Sequence, residues 1–510
     1  LRLSCRIATR RCIVTDLPNS GFEELTIEDF LAAVVAGELT SVELVRWYLS
    51  QIESKDDSGP ALHSVVTINP QALDEAAQRD AFFASTGCLI GPLHGVPVLV
   101  KDQAESAGIR TTFGSELFAT YVPGRDATLI AKLRDFGAVL LAKTSMCDFA
   151  AGWFSSSSIT DHTKNPYSLE HEAGGSSAGT AAGVAANFGM VGIGEDTGGS
   201  VRVPASFNNL FGLRVTTGLI SRTGFSPLVH FQDTPGPIGR TVSDVASLLD
   251  AVVGFDPDDP MTVAATIDPP EDGYSDALAV CPPIDHWRIG VLETAFGSDA
   301  NPDAAPVNRV IRSAIANLGD LGVPTVEALE ITELSRWLVD TAGYVQHSKS
   351  DITRFLADRP DAPVSSFMEI YDSGNFHPLN DLFHAIAHGP ETVDDVDYVG
   401  IRKRQKAFQD LLLESFSRHD LDFLVYPTVQ VTTPLRFELA ALKYDCLTFP
   451  TNTVIAAQAG LPALTVPVGF TETGLAIGME LLGALHTEAA MLQFAYAWEQ
   501  ATPYRRAPSL

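Results

Sequence analysis

Basic residues are in short supply: 34 lysines and arginines stand against 63 aspartates and glutamates, a formal net charge of −29 over 510 residues. Such a surface repels phosphate backbones and anionic lipid unless a local basic patch intervenes, and the body of the chain shows none. Neither nucleic acid nor membrane is therefore expected as a partner, and the acidity is read as a solubility device. Cysteine is scarce as well. Cys5, Cys12, Cys88, Cys147, Cys281 and Cys446 are scattered without a C-x-x-C pair, which argues against a disulfide framework and against a structural zinc site. Asn-x-Ser/Thr acceptors are missing, as are apolar runs of about 18 residues that could span a bilayer. These absences favour an intracellular, cytoplasmic setting. No repeat with a period of roughly 20 to 50 residues occurs, so solenoids and propellers are set aside.

What is present is enough apolar sequence, 45% of the chain, to bury a large core without metals or disulfides. No linker suggests itself, so residues 23–505 are expected to form one catalytic domain. Residues 1–22 carry Arg2, Arg6, Arg10 and Arg11 with no acid before Asp16; they are set aside as an N-terminal extension or presequence remnant, which leaves organellar import open. Oligomeric state is not legible, and a homodimer is left open.

Thr26 heads an apolar stripe of Ile27, Phe30, Leu31 and Val34 that ends at Gly37, which predicts a short capped helix. Thr40 with Glu43 forms a capping box for a second helix, whose face is Val42, Val45, Leu49 and Ile52. From about residue 89 short strand-like runs (96–100, 138–141) alternate with helical stretches such as 127–136, an α/β signal. Strand character returns at 421–427 and 464–482. The intervening stretch, about 300–420, reads as a helical insertion forming one wall of a substrate channel. The expected architecture is a mixed central sheet covered by helices on both faces.

Three segments carry chemistry: GVPVLVKD ending in Lys101 and Asp102, AGGSSAGTAAGVAA around Ser176, and GEDTGGSVRVPAS around Ser200. Lys101 closes an apolar strand, where a cation is costly unless it is partnered or gives up its proton. The chain can turn at Gly174 and Gly175 and start a close-packed helix near Ser176. Residues 190–193 read as a buried strand delivering Thr197, Gly198 and Gly199 into a turn whose successive N–H groups can meet a developing oxyanion.

In these segments the sequence resembles the amidase-signature family, in particular its peptide amidases and the A-type glutaminase subunits of tRNA-dependent amidotransferases. GGSS at 174–177, DTGGSVR at 196–202 and the strand-terminal Lys101 occur in the family's order, with 75 residues from Lys101 to Ser176 and 24 from there to Ser200. The likeness extends through KTSMCDFA at 143–150, QDTPGPIGRTVSD at 232–244 and the C-terminal LPALTVPVGF and GLAIGMELLG. Ala178 departs from the glycine many members carry there. The resemblance implies the amidase-signature fold and hydrolysis of a carboxamide C–N bond through an acyl-enzyme. In that scheme Ser200 is the nucleophile, Ser176 bridges the proton transfer through a cis peptide bond with its neighbour, and neutral Lys101 is the base. Thr197, Gly198 and Gly199 would form the oxyanion hole, with Ser177 and the Asp196–Arg202 pair in support. Met146, Cys147 and Asp148 are candidate substrate-pocket residues. No cofactor and no metal are implied; the substrate would be a small-molecule or peptide amide.

Rival readings come from the same residues. Gly175 to Gly179 match G-x-S-x-G, which would make Ser177 the nucleophile, but the polar NPYSLEHEA ahead of it is no buried strand. His384 and His388 have metal-binding spacing without the glutamate of H-E-x-x-H or a third ligand. Two other functions stay on the table: a glutaminase subunit of a tRNA-dependent amidotransferase, and a catalytically silent scaffold of the same fold.

Overall fold

The computed structural model describes residues 21–267, 269–392 and 398–510; most of the N-terminal extension, residues 1–20, lies outside them. Its frame is thirteen strands: β1 (Val65–Ile68), β2 (Pro97–Lys101), β3 (Val139–Thr144), β4 (Lys164–Asn165), β5 (Ser168–Glu172), β6 (Val191–Glu195), β7 (Phe211–Arg214), β8 (Pro235–Gly239), β9 (Ile289–Leu292), β10 (Thr325–Leu329), β11 (Phe423–Pro427), β12 (Ala463–Phe470) and β13 (Ala476–Leu482). Eleven of them form one mixed sheet in the order β1-β3-β2-β6-β8-β7-β12-β13-β11-β9-β10, and β4 pairs with β5 apart from it. Helices flank the sheet, as the α/β alternation predicts.

Most inner strands, β2, β3, β6 to β9 and β11 among them, are buried along their whole length, which accounts for their continuous apolar runs. β2 lies parallel to both β3 and β6, so Lys101 and Glu195, the last residues of β2 and β6, emerge at the same edge. In open α/β sheets the carboxyl ends of the strands are where ligands bind. The Gly/Ala-rich helix Ala178–Ala185 is buried on every side. A Cβ on Gly179 would overlap the Ser64 carbonyl and the Ser145 amide, and this close approach is what the small residues permit.

Both N-terminal helices form where their caps place them: Ile27–Ala36 with Thr26 accepting from the Asp29 amide, and Ser41–Lys55 with the full Thr40/Glu43 box. The 300–420 stretch differs from expectation. Ala305–Asp320 and β10 complete a parallel unit with β9 at the sheet edge, so the cap proper starts at Leu334. Its helices Tyr344–Ala357, Phe367–Ser373 and Asp381–Ala387 share a separate apolar cluster with Phe113, Phe149, Trp153 and Phe154. Residues beyond 505 also belong to the body: the Arg506 amide donates to Asn209 at 3.0 Å, and its guanidinium lies over the Phe470 ring.

Candidate active site

Burying an amine at the end of an apolar strand requires partners, and Lys101 has them. Its Nζ lies 2.8 Å from Ser176 Oγ, 3.2 Å from the Glu195 carbonyl oxygen and 3.7 Å from Glu195 Oε2, and it is fully buried. Burial drives its pKa down, with the negative charge of Glu195 opposing. Lys143 on the neighbouring strand shows the alternative. Its Nζ is held by Asp102 Oδ1 at 3.2 Å, the Ala104 carbonyl at 2.6 Å and Thr111 Oγ1 at 2.8 Å; burial lowers its pKa too, with Asp102 opposing from closer range.

The Gly175–Ser176 peptide is cis. Ser177 Oγ sits against the Glu195 backbone, 3.3 Å from its N–H and 3.4 Å from its carbonyl oxygen, and the Ser177 amide donates to the Ser200 carbonyl at 3.2 Å. Ser177 is thus held beneath the 196–200 turn, away from the cavity, which removes the G-x-S-x-G rival.

Ser200 lines a cavity of about 500 Å³ together with Thr197 and Gly198. Among the described residues, no protein acceptor takes the N–H groups of Thr197, Gly198, Gly199 or Ser200, which leaves four main-chain donors for an oxygen anion. Gly199 has φ 152°, and a Cβ there would overlap the Thr453 hydroxyl. Gly199→Ala is therefore expected to lower kcat by about 10²- to 10³-fold, the typical loss for one displaced oxyanion donor. Steady-state kinetics normalised to titrated active sites would show this; an unchanged kcat would remove the turn from the chemistry.

Asp196 anchors the turn. Its carboxylate accepts from Arg202 Nε at 3.1 Å and Nη2 at 3.0 Å, from Arg214 Nη1 at 3.0 Å and from the Val201 amide at 3.1 Å. Burial alone would raise its pKa, but the two guanidiniums outweigh burial and hold it below the usual range. Arg202 also pairs with Glu480, whose carboxyl burial pushes up to about 7 against that attraction.

Several participants have no motif to announce them. Glu195 is fully buried, and burial, aided by Asp233, pushes its carboxyl up to about 8 despite Lys101. The visible signal is an acid closing the apolar strand VGIGE. Gln232 Nε2 donates to the Thr197 carbonyl at 2.6 Å and to the Tyr344 hydroxyl at 3.2 Å, tying the turn to the cap. Met146, Cys147 and Asp148, by contrast, do not line the cavity; its wall comes from 150–153, 334–344 and 446–458. Asp148 is spent on the Ser158 amide at 3.1 Å and the His377 amide at 3.3 Å, and burial pushes the Cys147 thiol up, out of thiolate chemistry.

His384 and His388 do not converge on a site: His384 Nδ1 meets the Tyr371 hydroxyl at 3.1 Å, and His388 Nδ1 meets the His384 carbonyl at 2.7 Å. Among the described residues, Asp161, His162 and His377 do cluster, within 4.8 Å of one another. His377 Nδ1 accepts the Leu379 N–H at 3.2 Å, which makes Nε2 the protonated nitrogen facing Asp161 at 3.2 Å. That tautomer suits a hydrogen bond and not a metal bond. Cys88, Cys147, Cys281 and Cys446 are all unpaired thiols, and no helix among the described residues is long and apolar enough to cross a membrane.

Comparison with known proteins adds a family. The sequence model described as Amidase matches residues 43–492. The chain is 34% identical over 506 residues to the A-type subunit of glutamyl-tRNA(Gln) amidotransferase from Moorella thermoacetica, covering 93% of this chain and 96% of that one. It is 32% identical to the corresponding protein from Thermosynechococcus vestitus, covering 94% and 98%. Among solved structures, the native peptide amidase from Stenotrophomonas maltophilia superposes with a TM-score of 0.83 at 32% identity, covering 97% of this chain and 99% of that one.

Proposed function

Since the chain belongs to the amidase family and is an amide-hydrolysing enzyme, we propose that Ser200 attacks the carboxamide carbon, with Ser176 and Lys101 relaying its proton. As the Ser200 Oγ–C bond forms, the Ser200 proton passes to Ser176 Oγ, and that of Ser176 passes to the uncharged Lys101 Nζ. The oxyanion rests on the free N–H groups of residues 197–200. The proton then returns to the leaving nitrogen as the C–N bond breaks, and water, activated by the same relay, releases the acid. Asp196, held by Arg202 and Arg214, keeps the turn in place.

One observation carries the substrate class: among the described residues, the wall of the cavity contains no Asp, Glu, Lys, Arg or His, while Trp153, Leu228, Leu334, Leu338 and Phe449 give it an apolar character. Free glutamine would bring an α-ammonium and an α-carboxylate into this space, and neither would find an opposite charge. The substrates that fit are amides with an uncharged acyl part, small aliphatic or aromatic amides and C-terminally amidated peptides. Ammonia release from a panel of such amides is expected to exceed that from free glutamine by on the order of 100-fold in kcat/KM, the scale set by an unpaired polar group in a binding site.

Similarity to the A-type subunits of glutamyl-tRNA(Gln) amidotransferases favours a second reading, a glutaminase working within an assembly. Glutamine as the preferred substrate, or activity only with a copurifying second chain, would establish it in place of the first. The net charge of −29 and the neutral cavity support the stand-alone amidase. The four unpaired thiols support a cytoplasmic setting.

A further inference from the structure

Glu195 has no place in the relay as written, yet among the described residues its carboxyl lies closer to Lys101 than that of any other acid. Its Oε1 accepts two long hydrogen bonds, from Thr197 Oγ1 and from the Thr234 amide, both 3.3 Å. Its Oε2 is buried, makes no close hydrogen bond among the described residues, has the Gln103 side chain beside the carboxyl as a weak donor, and faces Lys101 Nζ at 3.7 Å, beyond hydrogen-bonding reach. Asp102, the partner of the other buried lysine, takes the Thr112 amide at 2.8 Å and the Thr112 hydroxyl on Oδ2 and lies nearer its amine, with Oδ1 3.2 Å from Lys143 Nζ. An ionised carboxylate with an oxygen left bare in an apolar strand end is costly; a protonated one is not.

We propose that Glu195 is a positioning residue for Lys101: its carboxyl takes the proton that the amine must shed, so that Lys101 enters the relay uncharged and no lone charge is left buried. The exchange breaks one N–H bond and forms one O–H bond, and the net charge of the pair does not change. The surroundings favour that direction. Asp233 and, more weakly, Asp196 act against a charge on Glu195 while Arg214 acts for one, and Cys147, beside Lys101, stays a neutral thiol. Burial raises the acid and lowers the base, which narrows the gap between them. Such a pair titrates as a unit, in two steps that belong to neither residue alone.

The inference rests on Lys101 being the base, so the test includes a variant for each claim. In the wild type, kcat/KM is expected to climb with pH in two steps. Glu195→Gln keeps the Oε1 acceptor but cannot hold the proton, and it removes the negative charge that supports the ammonium. Its profile is expected to show one step with a midpoint lower by about one pH unit, about a tenfold gain on the acid limb relative to plateau. Glu195→Asp should restore the two-step shape at a reduced rate. A purely structural role for Glu195 predicts the wild-type shape scaled down uniformly, and that result overturns the proposal while leaving the relay intact. Full activity in Lys101→Met overturns the relay itself. If Glu195→Gln does not fold, infrared difference spectra of the wild type decide: a buried protonated-carboxyl band should persist above the ordinary carboxylate range and disappear as the Lys101–Glu195 pair sheds its last proton, and a carboxyl band that is ionised throughout sinks the idea.

Discussion

Ser200→Ala is expected to abolish covalent labelling by a fluorophosphonate and to lower amide turnover by about 10⁴-fold or more, the scale at which a nucleophile deleted from a working relay is felt. Ser200 is the hydroxyl that lines the cavity beside the four unclaimed main-chain donors, so a reagent that mimics the tetrahedral intermediate has one place to react. Lys101→Met should slow labelling by a similar factor without changing its site, because the methionine preserves the buried stem while removing the proton acceptor. Peptide mapping of the adduct checks both. An adduct on Ser177 would contradict the geometry, since that hydroxyl is held against the Glu195 backbone; a folded wild type that takes no label would point to a silent scaffold.

The second large effect concerns stability. Arg202→Met is expected to lower the unfolding free energy by about 3–5 kcal/mol, the usual consequence of deleting one partner from a buried ionic cluster. Arg202 bridges Asp196 to Glu480 on β13 and donates to the Thr453 carbonyl at 2.9 Å, all without solvent contact. Its loss leaves Asp196 with Arg214 and leaves Glu480 with only the Tyr426 hydroxyl at 3.3 Å. Denaturant unfolding should show a lower midpoint. Lowering the pH should narrow the difference, because Glu480, once protonated, no longer needs the cation; its carboxyl titrates near pH 7 in the intact protein. A loss below about 1 kcal/mol would mean that the cluster is not what fixes the turn.

The residues of the proposed relay stand in motifs that can be read in the sequence, because Gly-rich turns and a lysine closing an apolar strand are local features, and local features survive in a linear text. The two N-terminal helices were legible for the same reason, through Thr26 and the Thr40/Glu43 box. Glu195 was printed in the sequence beside Asp196, but what its carboxyl faces depends on β2 and β6 being parallel neighbours, which no spacing encodes. Strand β10 was hidden because it is a short, half-exposed edge strand lying between helices. The cavity wall was the least accessible. Leu334, Tyr344 and Phe449 meet only through the fold, whereas Met146, Cys147 and Asp148 lie within the recognisable run 143–150 but away from the cavity.

The division of the interior into two apolar clusters has an evolutionary corollary. In the proposed relay the proton-handling groups sit at or just beyond the ends of sheet strands, and the surfaces that would meet the acyl group are supplied largely by the cap and the 446–458 loop. Mutational drift in the cap can therefore redraw the roster of accepted amides while the machinery that cuts them stays untouched. A chimera carrying a relative's residues 334–387 on this sheet should inherit the donor's selectivity and keep this enzyme's dependence of rate on pH.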